Sequence, residues 1–153
     1  YFLIRREITT ALENPSFLKD LNLKSNEVLY VYPVAKSLEK IADHCESIAK
    51  SCIQLEGKTI SSEITDFFIQ YSNEAMEIHT QAIQAFLSKK LDLAFKAINI
   101  FEKLDEKLKS KELSRKRADD FDVEIQMQLV ERNLDRICGY GIDIAEMAID
   151  RIQ

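Results

Sequence analysis

The sequence predicts an all-α fold, an antiparallel helical bundle. The 153 residues include only three glycines and two prolines, so collagen-like chains and turn-rich β architectures are disfavoured. Along most of the chain, apolar side chains recur at alternating spacings of three and four residues, which is the pattern of one buried helix face. Hydrophobic residues at 46%, charged residues at 31% and a net charge of −5 indicate a packed, soluble domain.

The first half of the chain predicts two helices separated by a loop. A helix over 1–13 should stop there, because Pro15 disfavours helical backbone at the residue before it. Residues 14–26 are predicted to form the loop. A long helix follows over 27–56 and is closed by Gly57 as a C-terminal cap. Its predicted buried stripe consists of Val31, Val34, Leu38, Ile41, Cys45, Ile48, Cys52 and Leu55.

The second half predicts three further helices. The third begins at Ser61 or Ser62, whose hydroxyl can accept a hydrogen bond from the first helical turn. A break at 88–90 separates it from a fourth helix over 91–108, and a charged connection over 109–117 leads into the last helix. The stripe of that last helix is Val123, Met127, Val130, Leu134, Ile137, Gly141, Ile144 and Ala148. Helices of this kind pack in antiparallel bundles with crossing angles of about 20°.

Cysteine usage and charge restrict the setting of the protein. Cys45, Cys52 and Cys138 are too few for a secreted disulfide framework, and no pair has CxxC spacing. They are predicted to be small buried hydrophobes in a reducing, cytoplasmic environment. No uncharged apolar run approaches the roughly 18 residues of a membrane span, so the chain is not expected to be membrane-embedded. The acidic balance argues against direct nucleic acid binding by this segment.

An internal repeat relates residues 34–50 to residues 130–146. Placed over one another, the two segments share Val, Leu, Ile, Ile and Ala at matching positions. Three charges also match, Lys36 with Arg132, Glu39 with Asp135 and Lys40 with Arg136. Shared charges go beyond what two unrelated amphipathic helices have in common. Residues 1–57 are therefore predicted to be a partial first repeat that lacks its first helix, and residues 58–153 a second repeat, together forming one domain.

Glu39 and Asp43 are candidate metal ligands, because they lie one turn apart on the same face of a helix. Like charges at this spacing repel by roughly 0.2–0.5 kcal/mol in an isolated helix, so neighbouring lysines, water or a metal ion must offset them. A solvated charged face is the alternative interpretation. His44 directly follows Asp43 and is rotated from it by about 100°, which leaves it at most a peripheral ligand.

The other reactive residues disfavour an enzyme. The Glu-x-x-His motif of di-iron bundles is absent, because neither His44 nor His79 has a glutamate three residues before it. Residues 57–59, Gly-Lys-Thr, lack the upstream glycine and the preceding strand of a phosphate-binding loop, and are predicted to be a turn. A metal-dependent hydrolase or oxidase needs an open metal position and a general base, neither of which the spacing supplies. We therefore expect no catalytic residues.

Two segments resemble the signature of the PhoU family. Residues 38–44, Leu-Glu-Lys-Ile-Ala-Asp-His, followed by Ser-Ile-Ala at 47–49, are similar to its Leu-Glu-Arg-Ile-Gly/Ala-Asp-His and Asn-Ile-Ala elements. Residues 132–137, Arg-Asn-Leu-Asp-Arg-Ile, with Asp-Ile-Ala-Glu at 143–146, look like its second copy. Members of the family are built from two similar three-helix bundles, which agrees with the repeat. Residues 1–6 are additionally similar to a helix of archaeal PhoU-like proteins.

The resemblance implies a cytoplasmic, non-catalytic regulator of phosphate uptake and phosphate homeostasis. Such a protein acts by protein–protein contact with phosphate ABC transporter components or phosphate-signalling proteins, and a homodimer is the expected state. The sequence is also compatible with an alternative function. The chain would then be the helical sensor or dimerisation module of a transcription regulator whose DNA-binding domain lies upstream of Tyr1.

The resemblance also implies metal binding at the paired acidic residues. Family members hold metal clusters through Glu/Asp-x-x-x-Asp motifs, and Glu39 with Asp43 match one such motif. A metal ion or a multinuclear cluster of the iron or zinc class is therefore expected there. Asp135 matches the first acidic position of the second copy, but Gly139 replaces the second. Asp105 and Glu102 on the fourth helix are the candidate partner carboxylates.

Overall fold

The computed structural model describes residues 2–20, 24, 27–112 and 120–152. These residues form six helices and no strand, so the predicted all-α class is confirmed. The helices are α1 (Phe2–Glu13), α2 (Pro15–Asp20), α3 (Val28–Gln54), α4 (Ser62–Ser88), α5 (Leu91–Glu112) and α6 (Phe121–Ile152). Not one of these helices combines the length and the apolarity that crossing a membrane requires.

α6 is the central helix. α3, α4 and α5 each pack along it, whereas the described residues of α3 contact neither α4 nor α5. Near the start of α4, Tyr71 hydrogen-bonds to Asp135. Near its end, the carbonyl of Phe86 accepts a hydrogen bond from Arg151. α4 and α6 therefore run parallel, and α5, which connects them, runs antiparallel to both.

α3 lies on another side of α6 and runs antiparallel to it. His44 in the second half of α3 contacts Asn133 in the first half of α6. Glu27, directly before α3, contacts Arg151 in the last turn of α6. The chain thus places α4 and α5 against one side of α6 and α3 against another.

The core is made of apolar residues from α3, α4, α5 and α6. Its members with no exposed surface are Ile78, Ala82, Ala85, Ala94, Ala97, Ile144, Ala145 and Ala148. Most are alanines, whose small side chains allow helix backbones to approach closely. α3 contributes Val34 and Ile41 to the same cluster. Burying a single Leu or Ile side chain stabilises a fold by roughly 1.5–3 kcal/mol, so this cluster is the main source of stability.

The predicted loop over 14–26 is wrong in its first part, because residues 15–20 form α2. The side-chain Oδ1 of Asn14 accepts hydrogen bonds from the backbone N–H of Ser16 at 3.3 Å and from its hydroxyl at 2.6 Å. Pro15 occupies the first helical position, where its missing N–H has no partner to lose. A proline that ends one helix therefore also begins the next.

The predicted connection over 109–117 is likewise too long, because α5 continues to Glu112. Lys109 pairs with Asp105 one turn earlier, and an acid four residues before a base supports a helix. The rest of the connection, 113–117, lies outside the described residues.

Three of the eight residues in the apolar stripe predicted for α3 are exposed. Ile41 is buried, but Leu38 is 38% exposed, and Cys45 and Cys52 are exposed as well. Burial is confirmed for Cys138, where it raises the pKa of the thiol to about 12, and is wrong for the other two cysteines. The physical reason is that α6 covers one side of α3, and the only other described helix in contact with α3 is α1.

A part-buried ion pair closes one end of the bundle. The carboxylate of Glu27 accepts hydrogen bonds from Arg151 at 2.7 Å and from Lys89 at 3.0 Å. Arg151 also donates to the carbonyl of Phe86 at 3.0 Å. The side chains of Glu27 and Arg151 are each 12% exposed. The hydrogen bond from Arg151, then those from the backbone of Lys24 and from Lys89, lower the pKa of Glu27 from 4.5 to about 2.

Substituting the two glycines of α6 tests the close approach of α4 to α6. A Cβ atom at Gly141 would lie 2.9 Å from Cγ2 of Ile78, which is fully buried and β-branched. We expect Gly141→Ala to lower the free energy of unfolding by about 1–3 kcal/mol through overpacking. A Cβ atom at Gly139 would have no other atom within 4 Å. Gly139→Ala should therefore raise the free energy of unfolding by about 0.5–1 kcal/mol. Urea denaturation measures both, and equal effects would contradict the packing described above.

The pKa of Glu27 predicts a specific loss of stability in acid. Because its folded pKa lies below its unfolded pKa, the carboxylate stabilises the fold above pH 4.5 and loses this effect as the pH falls towards 2. At neutral pH, Glu27→Gln should lower the free energy of unfolding by about 1–3 kcal/mol. The difference from the unmodified protein should shrink between pH 4.5 and 2. Glu56→Gln, at an exposed position, is the control, and a Glu27 effect that does not vary with pH would refute this account.

Candidate functional site

Glu39 and Asp43 lie on α3 as predicted, and the second of them is already paired. Asp43 accepts a hydrogen bond from Lys40 at 2.8 Å, and their side chains are 58% and 39% exposed. This hydrogen bond, together with the charge of Lys40, lowers the pKa of Asp43. Glu39 is half-buried. A neighbouring lysine therefore offsets the repulsion between the two carboxylates.

Asp135 and Asp105 each have a hydrogen-bond or ion-pair partner away from α3. Asp135 accepts a hydrogen bond from the phenol of Tyr71 on α4. Burial raises the pKa of Tyr71 far above its usual range, and the hydrogen bond to Asp135 adds to the effect. Asp105 pairs with Lys109 of its own helix. Because the described residues of α3 and α5 make no contact, Asp105 is not brought to the pair on α3.

The donor set for a metal ion is incomplete in the part of the chain that the structure describes. There, no three His, Cys, Asp or Glu side chains form a group that could hold a metal ion. Zn²⁺ takes four ligands, and Glu39 with Asp43 supply carboxylates from a single helical turn. In the matching segment of α6, Gly139 stands at the position of Asp43 and supplies no carboxylate. An ion at this position would have to displace Lys40 and take further ligands from water or from another chain.

A groove runs between α3 and α6. It has a volume of about 480 Å³ and is lined by Pro33, Lys36, Ser37, Lys40, Tyr140, Asp143, Glu146 and Met147. The lysines belong to the α3 wall and the two carboxylates to the α6 wall. Pro33, Tyr140 and Met147 give the groove an apolar surface between the charges. The groove therefore combines an apolar strip with walls of opposite charge.

Tyr140 is the centre of a cluster of basic side chains. The ring of His44 stacks on the ring of Tyr140, with centroids 5.8 Å apart and an interplanar angle of 29°. The guanidinium carbon of Arg136 lies 5.6 Å from the centroid of the same ring, within the range of a cation–π contact. Lys40 lines the groove beside Tyr140. Three basic side chains, those of His44, Arg136 and Lys40, therefore lie near one aromatic ring.

A buried asparagine orients His44 towards α6. Asn133 is 7% exposed, and its Nδ2 donates to the carbonyl of Leu129 at 2.7 Å. Its Oδ1 is then the acceptor for Nδ1 of His44, also at 2.7 Å. In this assignment Nδ1 of His44 carries the proton. His44 therefore belongs to the interface between α3 and α6, on a different side of α3 from the exposed Asp43.

Sequence reasoning singled out the acidic pair and missed the cluster around Tyr140. The signal was present in the repeat, because the alignment of 34–50 with 130–146 places His44 over Tyr140. When two equivalent helices pack antiparallel about a local two-fold axis, equivalent residues meet near that axis.

Comparison of the chain with protein-family models, with curated proteins and with solved structures yields no match.

The expectation of a metal at Glu39 and Asp43 has a direct test. If these carboxylates hold an ion of the iron or zinc class, untagged protein should retain metal that the double variant Glu39→Ala, Asp43→Ala loses. Elemental analysis by mass spectrometry measures the metal content per chain. The control variant Glu146→Ala, Asp150→Ala removes another exposed acidic pair at the same spacing. It should leave the metal content per chain unchanged. Equal metal content in all three proteins would eliminate the site.

Proposed function

We propose that the chain is a PhoU-like regulator of phosphate uptake and phosphate homeostasis. It acts by protein–protein interaction with phosphate transporter components or phosphate-signalling proteins, as a cytoplasmic homodimer and without catalysing a reaction. Residues 1–57 and 58–153 are its two repeats, with α3 and α6 as equivalent helices. Glu39 and Asp43 remain the candidate metal ligands.

The observation that carries this proposal is the mutual packing of the two signature segments. α3 and α6 run antiparallel in contact, and His44 stacks on Tyr140, the residue that occupies the matching position of the repeat. Ile41 and its counterpart Ile137 are 9% and 7% exposed, so both face the shared core. Helices that share a sequence pattern and also pack about equivalent residues support a duplicated helical protein of the kind that the signature indicates.

The faces of α3 and α6 give a second, independent support. On α6 the buried positions beneath α4 and α5 include Leu134, Cys138, Gly141, Ala145 and Ala148. The matching positions of α3 are Leu38, Ala42, Cys45, Ala49 and Cys52. All five are apolar and mostly small, although they are exposed. Small apolar residues repeated at the same positions support a common origin for the two helices.

The proposed role depends on binding, and the groove supplies a surface with the required chemistry. Its walls carry two lysines and two carboxylates around an apolar strip. Charged groups of this kind give an interface its specificity and orientation. A regulator that works through contact needs such a surface more than it needs a reactive centre.

Deleting the gene in its native organism tests the proposed function. We expect the deletion to change both the rate of uptake of radiolabelled phosphate and the expression of phosphate-regulated genes, measured in medium of high and of low phosphate. Expression of the intact chain from a plasmid should restore both, and expression of Gly139→Ala, which the open space around Gly139 accommodates, should do the same. Unchanged uptake and expression in both media would count against the proposal.

A further inference from the structure

We propose that the groove between α3 and α6 docks one amphipathic helix of a partner protein, with acidic side chains along the α3 wall and basic side chains along the α6 wall. The inference rests on the proposed function, because it names the kind of segment through which the regulator would recognise its partner. It stands on the charges, the shape and the surroundings of the groove.

The charges of the two walls are complementary to one occupant. Lys36 and Lys40 lie one turn apart on α3, and Asp143 and Glu146 lie close to one turn apart on α6. Across the residues that the structure describes, no ion pair of 4.0 Å or less joins one wall to the other. Lys40 pairs instead with Asp43 of its own helix. Such an exposed pair is weak, so a carboxylate of a partner can replace Asp43 as its acceptor.

The direction of the groove suits a helix. α3 and α6 run antiparallel side by side, so the two walls follow one direction. Pro33, Tyr140 and Met147 form the apolar strip between them, and the volume is about 480 Å³. An amphipathic helix places an apolar stripe into such a groove and leaves its charged edges against the two walls. The lysine wall then meets acidic residues and the carboxylate wall meets basic ones.

The basic residues near Tyr140 also favour acidic side chains on the docked helix. Arg136 lies against the ring of Tyr140 and is exposed, so it adds a cation beside the groove. The matching residue of α3 in the repeat is Lys40, which lines the groove together with Tyr140. Acidic side chains of a docked helix therefore have two cations, Lys40 and Arg136, near Tyr140.

Two synthetic helical peptides of identical composition test the inference. Each has a leucine stripe flanked by two edges. In the segregated peptide all glutamates lie on one edge and all lysines on the other, whereas the mixed peptide alternates them on both edges. Fluorescence anisotropy with the intact protein at low ionic strength measures the two dissociation constants. We expect the segregated peptide to bind about tenfold more tightly, because it alone matches both walls at once.

Charge reversal of the walls supplies the decisive comparison. Lys36→Glu with Lys40→Glu makes both walls acidic and should weaken binding of the segregated peptide about tenfold. Adding Asp143→Lys and Glu146→Lys exchanges the two walls and should restore binding, because the peptide can lie in the opposite direction. Lys90→Glu with Lys103→Glu makes the same change in net charge at exposed positions outside the groove and should have little effect. Circular dichroism verifies the fold of each variant.

Three results would overturn the inference. The first is equal affinity for the segregated and mixed peptides, and the second is failure of the exchanged walls to restore binding. The third is a dimer, measured by light scattering, that dissociates when Lys36 and Lys40 are reversed, because a second copy of the chain would then be the occupant. Phosphate uptake in the deletion strain is a separate readout, so failure of the peptide experiment leaves the proposed function standing.

Discussion

The fold depends on α6 being covered on two sides by neighbours of different character. On the side that faces α4, α6 approaches so closely that there is no room for a methyl group at Gly141 beside Ile78. Towards α3 it presents Asn133 and Tyr140, which are larger and polar at their tips. Close packing on the first side anchors the helix. On the second side, Tyr140 together with Pro33 and Met147 lines the groove between α6 and α3.

The electrostatics of the groove differ from those of the molecule as a whole. The net charge of −5 describes an acidic protein, but recognition depends on which charges share one surface. Lys36 and Lys40 belong to the α3 wall and Asp143 to the α6 wall, and Arg136 of α6 lies against the ring of Tyr140. A binding partner therefore meets an ordered pattern of charges, whereas net charge alone indicates only the long-range field of the protein.

Local signals allowed most helix boundaries to be predicted, because a cap such as Ser61 acts on its own turn. The predicted cap at Gly57 is wrong by two residues, because α3 ends at Gln54 with Leu55 as its C-cap and Gly57 adopts its left-handed backbone in the turn that follows. The side of each helix that is covered could not be predicted in the same way. Leu38 and Ile41 belong to one apolar stripe, yet α6 reaches only the second of them. The bond between Tyr71 and Asp135 joins two helices, and no spacing along the chain encodes it. Acidic pairs stand out in a sequence, whereas an aromatic residue between basic neighbours becomes visible only after the helices are packed.

The order of the helices along the chain determines the cost of assembling the site. α4, α5 and α6 are consecutive, so their contacts close comparatively short loops. The bond between His44 and Asn133 spans 89 residues and that between Glu27 and Arg151 spans 124. Loop-closure entropy grows with loop length, and contacts of long range form slowly. Among the four core helices, α3 is therefore the one expected to dock last onto a preformed bundle of α4, α5 and α6 and to detach first from it. The groove exists only while α3 is docked, so its lifetime is set by the opening of a single helix.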